Sequence, residues 1–284
     1  MDRSLLRVAR VIGALLGAFA GIVAVQFMRL RRAQFLPGWP GFRVNHLVLP
    51  SVGRSSGTPL NLVVLGDSTT AGVGVDRPQE ALPFRLAQRI ADVEGGPVRV
   101  ISYGWAGARM ADLPRQQVHH ASGATRRAGE HGPFLADADV VAVVVGSNDA
   151  THRTPPARYR ESLRATLEAI GERAPRARIV LCGIPRFRGA LRGFEPLIFL
   201  ADQYARILRP ISRVEAERVG AAYADINAHV PPLIHGRRDV LASDGFHPSP
   251  VLYDAWSLVM CEALYGATPT SAHASHSPME PAGA

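Results

Sequence analysis

Residues 140–146 read VVAVVVG. Six apolar residues in a row, with no polar alternation, do not suit a strand with one wet face. They suit a strand buried on both sides, at the centre of a parallel sheet covered by helices. The rest of the chain agrees. Residues 62–66, 98–102, 178–183 and 221–226 are further short apolar runs. Between and after them, residues 81–92, 157–173, 196–219 and 248–265 carry helical patterns, with Pro83 in a first turn and a bend expected near Pro210. Strand–helix alternation over about 200 residues predicts an α/β fold: a three-layer, doubly wound, flavodoxin-like sandwich on a five-stranded parallel sheet. No internal repeat is seen.

The folded part is preceded by a different kind of segment. Residues 11–28 are VIGALLGAFAGIVAVQFM, uncharged, with Gln26 as the one polar interruption. Arginines flank the run: Arg3, Arg7 and Arg10 before it, Arg29, Arg31 and Arg32 after it. Eighteen helical residues span roughly 27 Å, enough for a bilayer core of about 30 Å if the ends snorkel. An uncleaved membrane anchor is the favoured reading; a signal peptide cleaved near the small-x-small Ala18-Phe19-Ala20, giving a secreted protein, is the alternative. Arginines on both sides leave orientation undecided by charge. A short basic N-terminus before a large domain favours an extracytoplasmic domain. Gly13, Gly17 and Gly21 recur on one helix face, a pattern that would let two such helices form a homodimer. The expected organisation is therefore an anchor at 1–32, a linker at 33–58, the folded domain at 59–266 and a disordered polar tail at 267–284.

Composition excludes several chemistries. All 32 basic residues are Arg. Without Lys there is no Walker-type phosphate loop and no Schiff-base lysine. Two cysteines, Cys182 and Cys261, are too few for a disulfide scaffold or a four-cysteine metal site, and both read as buried core thiols. The net charge of +8 invites a nucleic-acid reading. Yet residues 1–43 hold seven Arg against one acid, a net of +6, which leaves +2 for all that follows. The excess belongs to the anchor, where it can meet anionic lipid. No nucleic-acid partner is expected.

In doubly wound sheets, ligands sit beyond the carboxyl ends of the strands. The segments there are Gly66-Asp67-Ser68-Thr69-Thr70-Ala71-Gly72, Tyr103-Gly104-Trp105-Ala106-Gly107 and Gly146-Ser147-Asn148-Asp149, with Asp244-Gly245-Phe246-His247-Pro248 before the last helix. Together they hold the parts of an acyl-transfer site. Ser68 is a hydroxyl on a tight turn expected to lead into a helix N-terminus. His247 is a base able to take its proton, and Asp244, three residues earlier, is a carboxylate able to orient that base. Gly104 offers a backbone N–H and Asn148 a side-chain amide for an oxyanion.

Order and spacing of these blocks resemble the SGNH hydrolase family, also called GDSL esterases or lipases, over about residues 60–265. The resemblance rests on Gly66-Asp67-Ser68, Gly104, Gly146-x-Asn148-Asp149 and Asp244-x-x-His247. The second block departs from the family pattern: Tyr103, not Asn, precedes Gly104. The resemblance implies Ser68 as nucleophile, His247 as base and Asp244 as acid. It implies an oxyanion hole of Ser68, Gly104 and Asn148. Asp67 and Asp149 read as supports for their loops. No metal and no cofactor is expected.

The first functional reading is a serine esterase acting on a small-molecule, lipid or carbohydrate ester. The alternative keeps the site but makes it a deacetylase or acyltransferase on cell-envelope polysaccharide or lipid. A third reading, a non-enzymatic flavodoxin-like binding module using residues 68–72 for phosphate, leaves Asn148 and the Asp244–His247 pair without a task. Arg186, Arg188 and Arg192, interleaved with Phe187, Leu191 and Phe194, could meet an anionic head group or lie on a solvated loop. His119, His120 and His131 read as a solvated stretch. Trp105 either lines an acyl pocket or packs.

Overall fold

A computed structural model describes residues 3–32, 35–36, 45–123, 132, 134–187 and 189–266. Arg188, His131 and the tail at 267–284 lie outside the described residues, as does part of the segment read as a linker. The first element is α1 (Arg3–Arg32). Its stretch Leu6–Arg29 is long and apolar enough to cross a membrane by length and composition, and its apolar side chains are exposed. Gly13, Gly17 and Gly21 have nothing within 4 Å of where a Cβ would stand.

Six strands form one sheet: β1 (Asn45–Val48), β2 (Leu60–Gly66), β3 (Val98–Ser102), β4 (Val140–Val144), β5 (Arg178–Cys182) and β6 (Ala222–Ala224), in the order β1-β3-β2-β4-β5-β6. The five from β2 to β6 are parallel. They match the five expected strands and their doubly wound order. The strand count is corrected from five to six by β1, which pairs antiparallel with β3 at the sheet edge, Asn45 opposite Ile101 and Val48 opposite Val98. Only Val48 of β1 is buried. An edge strand with a single buried side chain lacks the apolar run that marks the others, so its sequence reads as linker.

Helices α2 (Leu82–Glu94), α5 (Pro156–Arg173), α6 (Glu195–Arg218), α7 (Ile226–Leu233) and α8 (Pro250–Tyr265) cover the sheet, with the short α3 (Val118–Ala121) and α4 (Ser147–Thr151). α2 begins with Pro83 in its first turn and ends where Gly95 turns left-handed at φ 61° and donates its N–H to Ala91. Residue alternation divides the core. Val63, Leu65, Val141 and Val143 face α5 and α6. Leu62, Val64, Val140, Ala142 and Val144 face α2, α7 and α8, together with Cys182 and Cys261, which are both buried free thiols. The central strand β4 is buried at every position, as its sequence requires.

Neighbours β2 and β4 are the pair at which the strand order reverses direction. A doubly wound sheet opens a crevice at that point. The segments that leave these two strands carry Ser68 and Asn148.

Candidate active site

Ser68 does not precede a helix, contrary to the sequence expectation. Residues 68–74 form consecutive turns, held by Thr70 and Ala71 N–H to the Asp67 carbonyl and by Val73 N–H to the Ser68 carbonyl. Gly72 and Gly74 adopt φ of 74° and 98°, which stops a helix from starting there. A Cβ at Gly74 would fall on the Pro248 carbonyl, so this glycine lets the serine turn touch the histidine loop.

The turn is braced from several sides. Asp67 Oδ1 accepts the Thr69 N–H at 3.0 Å and the Thr69 hydroxyl at 2.8 Å. Gln117, fully buried, clamps both backbone groups of Gly66: its Oε1 accepts the Gly66 N–H and its Nε2 donates to the Gly66 carbonyl, each at 2.7 Å. The Ser102 hydroxyl donates to the Thr70 carbonyl at 2.7 Å, and the Tyr253 hydroxyl to the Val73 carbonyl at 2.6 Å. Sequence reasoning missed Gln117. It lies in a stretch rich in Arg and His that carries no strand or helix signal strong enough to mark it as buried.

Asp67 is almost fully buried, and burial pushes its carboxyl up to about 6, against the Thr69 hydrogen bonds that favour the anion. An acid whose folded-state pKa exceeds its unfolded value binds more protons when folded. Its contribution to stability is present below about pH 4 and is lost as pH rises to about 6, by up to about 3 kcal/mol. Asp67→Asn keeps an acceptor for Thr69 and cannot ionise. Urea unfolding of both proteins from pH 4 to 7 should show the variant gaining on the wild type across that window; a gap independent of pH would refute the assignment.

His247 reaches the turn from the loop before α8. This loop is tied by the Ala242 N–H to the His247 carbonyl at 2.8 Å and the Ser249 N–H to the Val240 carbonyl at 3.0 Å. His247 Nε2 lies 3.2 Å from Ser68 Oγ, and its Nδ1 lies 2.6 Å from Asp244 Oδ2. Asp244 Oδ1 accepts the N–H groups of Phe246 at 2.9 Å and His247 at 3.0 Å. Burial raises the Asp244 carboxyl, but its bonds from the His247 ring, His247 N–H, Phe246 N–H and Leu36 N–H outweigh this and hold it below the ordinary value. It is therefore an anion at neutral pH. With Asp244 Oδ2 accepting the hydrogen bond from Nδ1–H, Nε2 presents its lone pair to Ser68.

Asn148 sits at the start of α4 after Gly146. Its Nδ2 donates to the Ala108 carbonyl at 2.9 Å, which fixes the amide and leaves its second N–H available. Asp149, fully buried, accepts the Met110 N–H at 2.8 Å, so it ties the loop after β3 to α4; burial raises its carboxyl. Gly104 packs on the serine turn: a Cβ there would fall on Thr70 Oγ1 and come within 3.0 Å of the Gly66 carbonyl. Its N–H rests on Ser102 Oγ at 3.3 Å. Gly104→Ala should cost about 1–3 kcal/mol through overpacking, read as a lower urea midpoint; an unchanged midpoint would show that the turn can yield.

Ser68, Asn148 and His247 line one cavity of about 300 Å³. Its far wall is apolar, built from Ile226, Val230, Ile234, Leu252 and Trp256 of α7, the turn that follows it and α8. Trp256 thus lines the cavity and Trp105 does not. Arg186 also lines it and is exposed; Phe187 lines it too but is buried, and Leu191 turns into the core. His119 is exposed, and the His120 ring packs on Tyr103 at 5.3 Å.

A buried serine facing a histidine and carboxylate, beside an apolar cavity, is geometry suited to acyl transfer. The sequence model of the GDSL-like lipase/acylhydrolase family matches residues 64–255. The chain belongs to this family. It is accordingly an ester hydrolase. Among solved structures similar to this GDSL-like hydrolase is the lipase/acylhydrolase from Enterococcus faecalis, with a TM-score of 0.54 at 20% identity, covering 72% of this chain and 94% of that one. An extracellular lipase from Streptomyces rimosus gives 0.51 at 21% identity, covering 72% and 99%. Phospholipase A1 from Streptomyces albidoflavus NA297 gives 0.50 at 20%, covering 73% and 100%. At these identities the likeness shows a shared fold. A search of curated proteins finds no match.

Proposed function

We propose that this GDSL-like hydrolase is a serine esterase acting through an acyl-enzyme on Ser68. The observation that carries the reading is the unbroken chain from Asp244 through His247 to Ser68, at the edge of an apolar cavity. His247 Nε2 takes the Ser68 proton as Oγ attacks the ester carbonyl, and the imidazolium is steadied by the Asp244 anion. The Ser68 N–H and the second N–H of Asn148 hold the oxyanion. The Gly104 N–H is a third donor, since its long bond to Ser102 is weak enough to be displaced. His247 then returns the proton to the leaving alcohol, and water releases the acid by the same steps in reverse.

The apolar wall supports an ester with a hydrocarbon acyl group, in keeping with neighbours named as lipases. Helix α1, by its length and composition, supports attachment to a membrane through the apolar stretch Leu6–Arg29. A short basic N-terminus before a large domain is what favours placing the catalytic domain outside the cytoplasm. Hydrolysis of p-nitrophenyl esters from acetate to decanoate, beside acetylated sugars and lysolipids, tests the substrate class. A rise in kcat/KM with chain length supports the acyl reading; preference for acetylated sugars would overturn it.

A further inference from the structure

Gln26, the one polar residue of an otherwise apolar run, is not exposed like its neighbours. It is only 8% exposed. Its Oε1 accepts the Leu197 N–H at 3.2 Å and its Nε2 donates to the Gly193 carbonyl at 3.1 Å. Leu197 is in the first turn of α6, whose leading N–H groups have no partner within the helix, and α6 has no side-chain cap of its own. Gln26 thus caps α6 from another helix, a role that neither residue's local sequence shows.

Docking at Gln26 limits how far the chain that follows can reach. From Gln26 to the end of α1 is six residues, about 9 Å, and four more residues reach at most about 14 Å further. The next described residues beyond that helix, Phe35 and Leu36, lie on the site. Leu36 donates its N–H to Asp244 Oδ2 at 3.2 Å, the same oxygen that holds His247. The Phe35 ring packs on Phe246 at 5.3 Å and meets the His247 ring edge-on at 6.2 Å. Pro37 follows in the sequence, which disfavours a helical backbone at Leu36.

We propose that Gln26 docks the N-terminal helix on the catalytic domain, and that the segment it delivers, Phe35–Leu36, is a positioning element that steadies Asp244 and shields His247. This rests on the serine-esterase reading above. Leu36 and Phe35 touch no reacting atom; they act through the dyad. Helix and site are then one functional unit, not an anchor joined to an independent enzyme.

The test uses the full chain in detergent micelles with p-nitrophenyl butyrate. Leu36→Pro deletes the donor, whereas Leu36→Ala keeps it. A hydrogen bond to a charged group of ordinary strength predicts about a tenfold loss of kcat in Leu36→Pro with KM little changed, and wild-type kcat in Leu36→Ala. Gln26→Leu keeps the helix apolar and removes both capping bonds. It should lower kcat in the same sense, and the double variant Gln26→Leu/Leu36→Pro should be no worse than Leu36→Pro, because both break one linkage. Equal activity in Leu36→Pro and Leu36→Ala, or losses that multiply in the double variant, would overturn the proposal. Unfolding midpoints taken on each variant separate positioning from folding: should Leu36→Pro misfold, Gln26→Leu with a wild-type midpoint and wild-type kcat would overturn it by itself. Ser68→Ala runs alongside. If it retains activity, the serine reading fails; if it is inactive while Leu36→Pro has full kcat, only the positioning role fails.

Discussion

Ser68→Ala should abolish turnover of p-nitrophenyl butyrate, with a fall in kcat of about 10⁴-fold or more. His247→Ala should fall by a similar factor. The two together should fall no further, because a base without its nucleophile, or a nucleophile without its base, leaves only binding and oxyanion contacts at work. The physical basis is the 3.2 Å approach of His247 Nε2 to Ser68 Oγ inside a site where both residues are buried. KM should change little. A fluorophosphonate probe supplies a second reading: it should label Ser68 in the wild type and leave Ser68→Ala unmodified. Turnover by Ser68→Ala within tenfold of the wild type, or labelling at another residue, would refute the mechanism.

Asp244→Asn should be nearly as damaging, about 10³–10⁴-fold in kcat, although it changes one atom. Asp244 Oδ1 accepts two backbone N–H groups, from Phe246 and His247. An amide must keep its oxygen there. Its NH₂ then faces His247 Nδ1 and the Leu36 N–H, where the carboxylate had an acceptor for both. His247 Nδ1 must now accept instead of donate, so the proton moves to Nε2 and no lone pair remains for Ser68. The loss should be smaller at high pH, where hydroxide partly replaces the missing base, and the fold should be intact by unfolding midpoint. A variant with wild-type kcat at pH 7 would show that Asp244 serves the loop and not the histidine.

The features legible in the sequence are those that depend on residues close together in the chain. Strand β4 announces itself because six consecutive apolar residues have only one solution, burial on both faces. Asp244 and His247 are three residues apart, so their pairing could be read directly. Ser68, Gly104 and Asn148 could be placed because each follows a recognisable strand, and strand ends converge in a doubly wound sheet. β1 could not be read so: one buried residue in four leaves no pattern. The helix expected after Ser68 was absent because Gly72 and Gly74 turn left-handed, and Gly74 does so to admit the Pro248 carbonyl.

Local order therefore determined the fold class, the two-sided core, the candidate triad and the apolar N-terminal helix. Only the tertiary structure decided what lies around them. Gln117 meets Gly66 from 51 positions away, Gln26 caps a helix 171 positions away, and Leu36 reaches Asp244 across 208. Hydrogen bonds of this kind join single polar groups at unrelated positions, with no periodicity to record them. A hydrophobic pattern can say which face of an element is buried, but not which distant amide will satisfy a particular carbonyl.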